Sequence, residues 1–121
     1  MPVAELSGSE SLKQRQKEMI IRIFRAKIKQ GHVSTFKSMV QEQSIPWLEK
    51  SDGMLNYYPG EPYSESTREF VMISIWRDIE SLKAFAGEDW ENPVVTEDEA
   101  PLVEAMSADH YHQFEQAKQE R

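Results

Sequence analysis

An α+β fold with the element order β-α-β-β-α-β is predicted by three observations. Two segments, MIIRIFRAKIK (Met19 to Lys29) and EFVMISIW (Glu69 to Trp76), are apolar and β-branched almost throughout, which suits strands buried on both faces. Two others, following His32 and Asp78, carry apolar residues at helical spacing. Turn chemistry at Gly31, Ser51-Asp52-Gly53, Pro59-Gly60 and Gly87 separates them.

The first strand places Ile20, Ile21, Ile23, Phe24 and Ile28 on both of its faces and is read as central. Gly31 breaks it. Val33, Phe36, Met39, Val40, Trp47 and Leu48 then recur at spacings of three, four and seven, so an amphipathic helix follows. Pro46 interrupts that helix, and Ser44 with Pro46 restarts a last short turn, where a missing N–H loses no bond. Met54 to Tyr58 (MLNYY) is a short second strand, and Pro59-Gly60-Glu61-Pro62 is expected to end its ladder. After a polar loop to Thr67, Glu69 to Trp76 forms the third strand beside the first. Asp78 caps a second helix with the apolar stripe Leu82, Phe85 and Ala86, ended by Gly87. Thr96 to Glu99 has capping-box spacing for a short third helix whose start Pro101 blurs, and Ser107 to Phe114 closes the domain as a strand.

Residues 1–18 hold too few large aliphatics to pack and are expected to form a flexible arm; 19–115 is the domain and 116–121 a polar tail. A chain of 121 residues buries roughly two-thirds of its unfolded surface in one core, so a single domain is expected. The order is the split βαβ, ferredoxin-like arrangement: four antiparallel strands with both helices on one face. Because strands 1 and 3 are apolar on both sides, the helix-free face exposes a greasy patch that a second copy of the sheet would cover. A cleft between two such sheets is then the expected ligand site.

Composition excludes several classes. The formal charge of −7 repels nucleic acid and anionic membrane surfaces alike. No apolar run approaches the ~20 residues of a membrane span, and Met1 to Glu18 lacks the apolar block of a secretory signal, so a cytoplasmic protein is expected. With no Cys there is no disulfide framework or thiolate metal site. The five glycines are too scattered for a phosphate-binding loop, and neither G-x-S-x-G nor H-E-x-x-H occurs.

His110 and His112 form an H-x-H on one strand face, about 7 Å apart. A metal would need a third donor; Glu115 falls on the other face by alternation, and Glu69 or His32 would have to arrive through the fold, so no metal is predicted. Either imidazole, with an ordinary pKa of about 6.5, suits a general base at neutral pH.

Ile75-Trp76-Arg77-Asp78 leading into Ile79-Glu80-Ser81-Leu82-Lys83-Ala84-Phe85, then Gly87-Glu88-Asp89-Trp90, Pro93 and His110-Tyr111, resembles the antibiotic biosynthesis monooxygenase domain family of dimeric α+β barrel proteins, over Met19 to Phe114. The resemblance implies a homodimer whose sheets form a barrel, with a cavity in each subunit for a lipophilic or aromatic small molecule. Some members oxidise polyketide quinone precursors with molecular oxygen and no cofactor; others degrade haem. The haem-degrading members use an Asn in strand one, a Trp late in the second helix and an axial His beyond it, positions that fall here on or near Phe24, Phe85 and Val95. Haem iron needs an axial donor and Val95 offers none, so haem degradation is disfavoured and no cofactor is expected.

Oxygenation without a cofactor requires a substrate that becomes the electron donor as its anion, while the protein takes a proton, holds the anion and excludes water. Alternation leaves open which face of each strand turns inward. With Val71, Ile73 and Ile75 under the helices, Met72, Ser74 and Trp76 would face the barrel, joined by Arg22, Phe24, Asn56, Tyr58, His110 and His112. The catalytic candidates are His110 as base with Asn56 or Arg22 stabilising the anion; Phe24, Tyr58, Met72, Ser74, Trp76 and His112 are the ligand-binding candidates. Simpler roles stand beside these: Trp76 and Trp90 as packing residues, Arg22 paired with an acid, Asn56 and Tyr58 at a dimer seam, and Glu97 to Glu99 as helix N-terminal charge. The alternative function is a non-catalytic dimer that binds a small ligand or serves as a stress or accessory protein.

Overall fold

The computed structural model describes residues 18–114; the arm and the tail read from the sequence lie outside the described residues, Glu18 excepted. Strand β1 (Ile20–Ile28) is the hub of a four-stranded sheet ordered β2-β3-β1-β4, with β2 (Met54–Gly60), β3 (Glu69–Trp76) and β4 (Val103–His112). Every pairing is antiparallel, and β1 meets β3 from Ile20 opposite Trp76 to Lys27 opposite Glu69. Helices α1 (Val33–Met39), α2 (Ile45–Lys50) and α3 (Ile79–Ala86) complete the fold, so the element order and the central place of strands 1 and 3 are as predicted.

Register decides the question that alternation left open. Ile20, Arg22, Phe24, Ala26 and Ile28 share a face with Phe70, Met72, Ser74 and Trp76, and this is the face that the helices cover. Val71, Ile73 and Ile75 lie on the opposite, helix-free face with Ile21 and Ile23, the reverse of the arrangement in which they pack under the helices. The physical reason is volume: Phe70, Met72 and Trp76 fill a deep sheet-to-helix layer better than three β-branched chains, which stay half-exposed.

Two clusters hold this layer. Ile20, Leu48, Trp76 and Leu82 form one, and Ala26, Ile28, Phe36 and Phe70 the other. Each large buried side chain contributes about 1.5–3 kcal/mol through removal from water. Helix α3 is capped as expected, the Asp78 carboxylate accepting from the Ser81 N–H at 2.9 Å and from the Ser81 hydroxyl at 2.8 Å.

Several boundaries differ from expectation. Pro46 does not break the helix: a π-helical turn (Val40–Ser44) joins α1 to α2, and the proline sits in the first turn of α2, where its ring and missing N–H are tolerated. Ser44 makes no cap; its hydroxyl donates to the Glu99 carboxylate instead. Strand β2 runs on through Pro59 and Gly60, because β2 is an edge strand on which a residue without an N–H need not interrupt pairing. Pro101 allows only a 3-10 turn (Ala100–Leu102) where a short helix was expected, and β4 begins at Val103 rather than Ser107.

Candidate active site

Between the helices and the sheet lies a cavity of about 350 Å³, lined by members of both core clusters. Its walls are mostly apolar and aromatic, with Phe24 and Met72 on the sheet side and Val40, Trp47 and Leu48 on the helical side. Phe85 closes one end, its ring 4.3 Å from that of Trp47 and 4.9 Å from that of Trp76. Where the wall meets solvent, Lys37 and Glu61 pair at 2.7 Å.

Arg22 reaches this wall from the middle of β1 with only 4% of its surface exposed. It donates to the main-chain oxygens of Trp90 at 2.6 Å and Asn92 at 3.3 Å, and lies 3.0 Å from His110 Nε2. None of these partners is a carboxylate. Burial lowers its pKa from the ordinary arginine value, yet a guanidinium stays charged in proteins, so a cation sits here with no carboxylate paired to it among the described residues.

The state of His110 follows. The guanidinium can only donate, so Nε2 must supply the lone pair and the imidazole is the neutral tautomer protonated on Nδ1. Burial first, and then the charge of Arg22, hold the pKa of His110 below its ordinary 6.5, against the weaker pull of Glu91 and Asp109. The edge of Trp90 closes over the ring at 5.0 Å.

Glu99 is the second buried charge in the wall, 3% exposed. Its Oε1 accepts from the Thr96 N–H at 3.0 Å while its own N–H donates to Thr96 Oγ1 at 3.1 Å, the reciprocal capping box read from the spacing. Its Oε2 accepts from the Ser44 hydroxyl at 3.1 Å. Across the sheet wall, Ser74 Oγ accepts from Trp76 Nε1 at 2.9 Å.

Of the residues singled out from sequence, Arg22, Phe24, Met72 and Ser74 line this cavity. His110 stands behind Arg22, and Trp76 is fully buried behind Ser74. His112 is exposed near the end of β4. Asn56 and Tyr58 pair with Ile75 and Ile73 on the helix-free face, where the Asn56 amide donates to the Tyr58 hydroxyl at 2.9 Å, so they do not meet Arg22. The sequence presents Glu99 as a capping-box residue and helix N-terminal charge, and nothing local signals that its carboxylate is buried in a cavity wall. The cavity also lies on the helix side of the sheet, not on the face where a cleft between sheets was expected. At the three positions relevant to haem, Phe24 and Phe85 face the cavity and Val95 is aliphatic. Among the described residues no group of three His, Asp or Glu side chains comes together as a metal site.

A four-stranded antiparallel sheet with helices on one face and an aromatic cavity beneath them defines a small α+β protein of the ferredoxin-like class. The chain belongs to the antibiotic biosynthesis monooxygenase family, whose family model matches residues 19–117. Solved structures share the fold. Protein SO0527 from Shewanella oneidensis superposes with a TM-score of 0.67 at 18% identity, covering 80% of this chain and 92% of its own. PA3566 from Pseudomonas aeruginosa gives 0.64 at 18% identity, over 83% and 98%. SnoaB from Streptomyces nogalater, a cofactor-independent oxygenase, gives 0.60 at 11% identity, over 84% and 99%. Among curated proteins nothing matches the chain. Among the described residues no helix is long and apolar enough to cross a membrane.

Proposed function

We propose that the chain is a cofactor-independent monooxygenase acting on an aromatic, quinol- or polyketide-type substrate bound in the helix-side cavity of each subunit of a homodimer. The observation that carries this reading is Arg22, a buried cation in the wall of an aromatic cavity with no carboxylate partner among the described residues. Such a group suits an anion that forms during reaction, since a preorganised donor in a dry site stabilises developing charge without reorganising.

In this reading a phenolic or enolic oxygen takes the Arg22 donor that now faces His110, and the neutral imidazole accepts the proton released. The substrate carbanion or phenolate passes an electron to dioxygen, and the radical pair recombines at carbon as a peroxide anion, which takes the proton back from His110 to give a hydroperoxide. Loss of water, with the hydrogen on that carbon, leaves a carbonyl, so one oxygen atom enters the product and the other leaves as water, all electrons coming from the substrate. The aromatic walls exclude solvent from these intermediates. The family membership and the likeness to SnoaB support this reading.

Oxygen uptake with anthrone and a panel of quinols tests it. Turnover should fall by about 100-fold or more in His110→Ala, the usual scale for removing a general base. Arg22→Met should lose a comparable factor. Absence of uptake across the panel, or turnover indifferent to both substitutions, rules the reading out. One observation favours the second reading, a non-catalytic ligand-binding dimer: the His110 lone pair is occupied by Arg22 rather than aimed into the cavity. That protein would bind the same aromatic anions and consume no oxygen.

A further inference from the structure

A buried ion normally has an opposite charge beside it, which offsets the cost of leaving water. Arg22 and Glu99 depart from this together. They are the two buried charged side chains among the described residues, both line the same cavity, and they do not pair with each other. Arg22 donates to two carbonyls and an imidazole; Glu99 accepts from the Ser44 hydroxyl and the Thr96 N–H. Each carboxylate oxygen of Glu99 thus receives one bond from these groups and keeps a further lone-pair site.

We infer that the cavity is a two-pole site, selecting an aromatic ligand with an anionic oxygen for Arg22 and, elsewhere on its ring system, a hydroxyl that donates to Glu99. The inference rests on the reading of this cavity as the substrate site, and it assigns to Glu99 the recognition of a second hydroxyl, distinct from the oxygen held by Arg22. Glu99 is then a specificity-determining residue. Ser44 is its positioning partner, holding Oε2 while the capping box holds Oε1. A wall built to receive a buried hydroxyl rejects the analogue that lacks it, because the acceptor is then left unpaired and dry.

The test uses 2-naphthoate and its monohydroxy isomers, aromatic anions whose binding is measured by calorimetry on the full chain and requires no turnover. At least one hydroxy isomer should bind about tenfold tighter than 2-naphthoate, the scale of a hydrogen bond to a charged group. Glu99→Gln retains an acceptor for Thr96 while removing the charge, and should cut that preference to about threefold or less with 2-naphthoate affinity little changed. Arg22→Met should weaken every naphthoate. The inference is overturned if no isomer is preferred by the unmodified protein, if no naphthoate binds, or if the preference survives in both Glu99→Gln and Glu99→Leu. The first two outcomes need no variant to fold. Oxygen uptake is scored separately: a preference without turnover removes the oxygenase reading alone, and turnover without a preference removes this inference alone.

Discussion

The Arg22 guanidinium lies 3.0 Å from Nε2 of His110, across the β1–β4 pairing in which the two residues are direct partners. This contact makes the neutral imidazole the folded-state form, since a second proton would set two cations against each other. The folded pKa of His110 is therefore below the ordinary 6.5 that it regains on unfolding. Between about pH 7.5 and 5.5 the unfolded chain takes up a proton that the folded chain resists, so stability falls as pH falls through this window. Urea midpoints at the two ends should show that loss, and His110→Asn should flatten it. A midpoint that rises on acidification, or a slope unchanged in the variant, would contradict the contact.

Trp76 fills the centre of the helix-side core, 0% exposed, and gives its one donor to Ser74. Trp76→Phe leaves a void and a buried hydroxyl without its partner, so a loss of about 1–3 kcal/mol is expected in chemical denaturation. Against a total of roughly 5–15 kcal/mol for a domain, the variant should fold but melt several degrees lower. A change below about 0.5 kcal/mol would show that the ring is not packed as described.

Gly31 and Gly53 both adopt positive φ, +88° and +87°, but their surroundings differ. A Cβ at Gly31 meets nothing within 4 Å, whereas at Gly53 it collides with the Ser81 side chain. Gly31→Ala should therefore cost about 1–2 kcal/mol, the backbone strain alone. Gly53→Ala should cost about 1–3 kcal/mol more, for the collision. Equal losses at the two sites would be inconsistent with Ser81 lying over the turn.

Ile23 and Ile73 face each other on the helix-free side of the sheet, flanked by Ile21, Val71 and Ile75. If a second copy covers this surface, sedimentation should return about twice 14.1 kDa. Ile73→Glu should return the single-chain mass, because a charge buried there would lack a partner. A single-chain mass for the unmodified protein at micromolar concentration would rule the homodimer out.

The fold was legible because its signals are local. Asp78 and Gly87 bracket α3, the β-branched runs mark β1 and β3, and Thr96 with Glu99 forms the box that their spacing announced. The site was only half legible, because its assembly depends on register. In β3 both faces are apolar, and in β1 only Arg25 and Lys27 mark the helix-free side, against Arg22 on the covered one, so alternation gives a weak sign of which face the helices cover. Nothing in the spacing of β2 tells which of its faces joins Arg22, and the pairing of β2 with β3 sets Asn56 on the other side of the sheet. Strand β4 has ends that hydropathy could not mark, as it is an edge strand with mostly exposed side chains.

The wide turn at Val40–Ser44 amounts to one residue more than a regular helix would use between α1 and α2. The turn absorbs that surplus, so α2 leaves it in nearly the phase that an unbroken helix would have. Loss of one residue here would close the turn into regular helix and leave Ile45, Trp47 and Leu48 close to their present positions. Val40, Gln41 and Ser44, which line the cavity from within the turn, would be redrawn, and Ser44 would shift relative to Glu99. Homologous chains one residue shorter here would thus enclose a differently shaped chamber on an otherwise unchanged scaffold, a route by which a single deletion could alter what such a protein accepts.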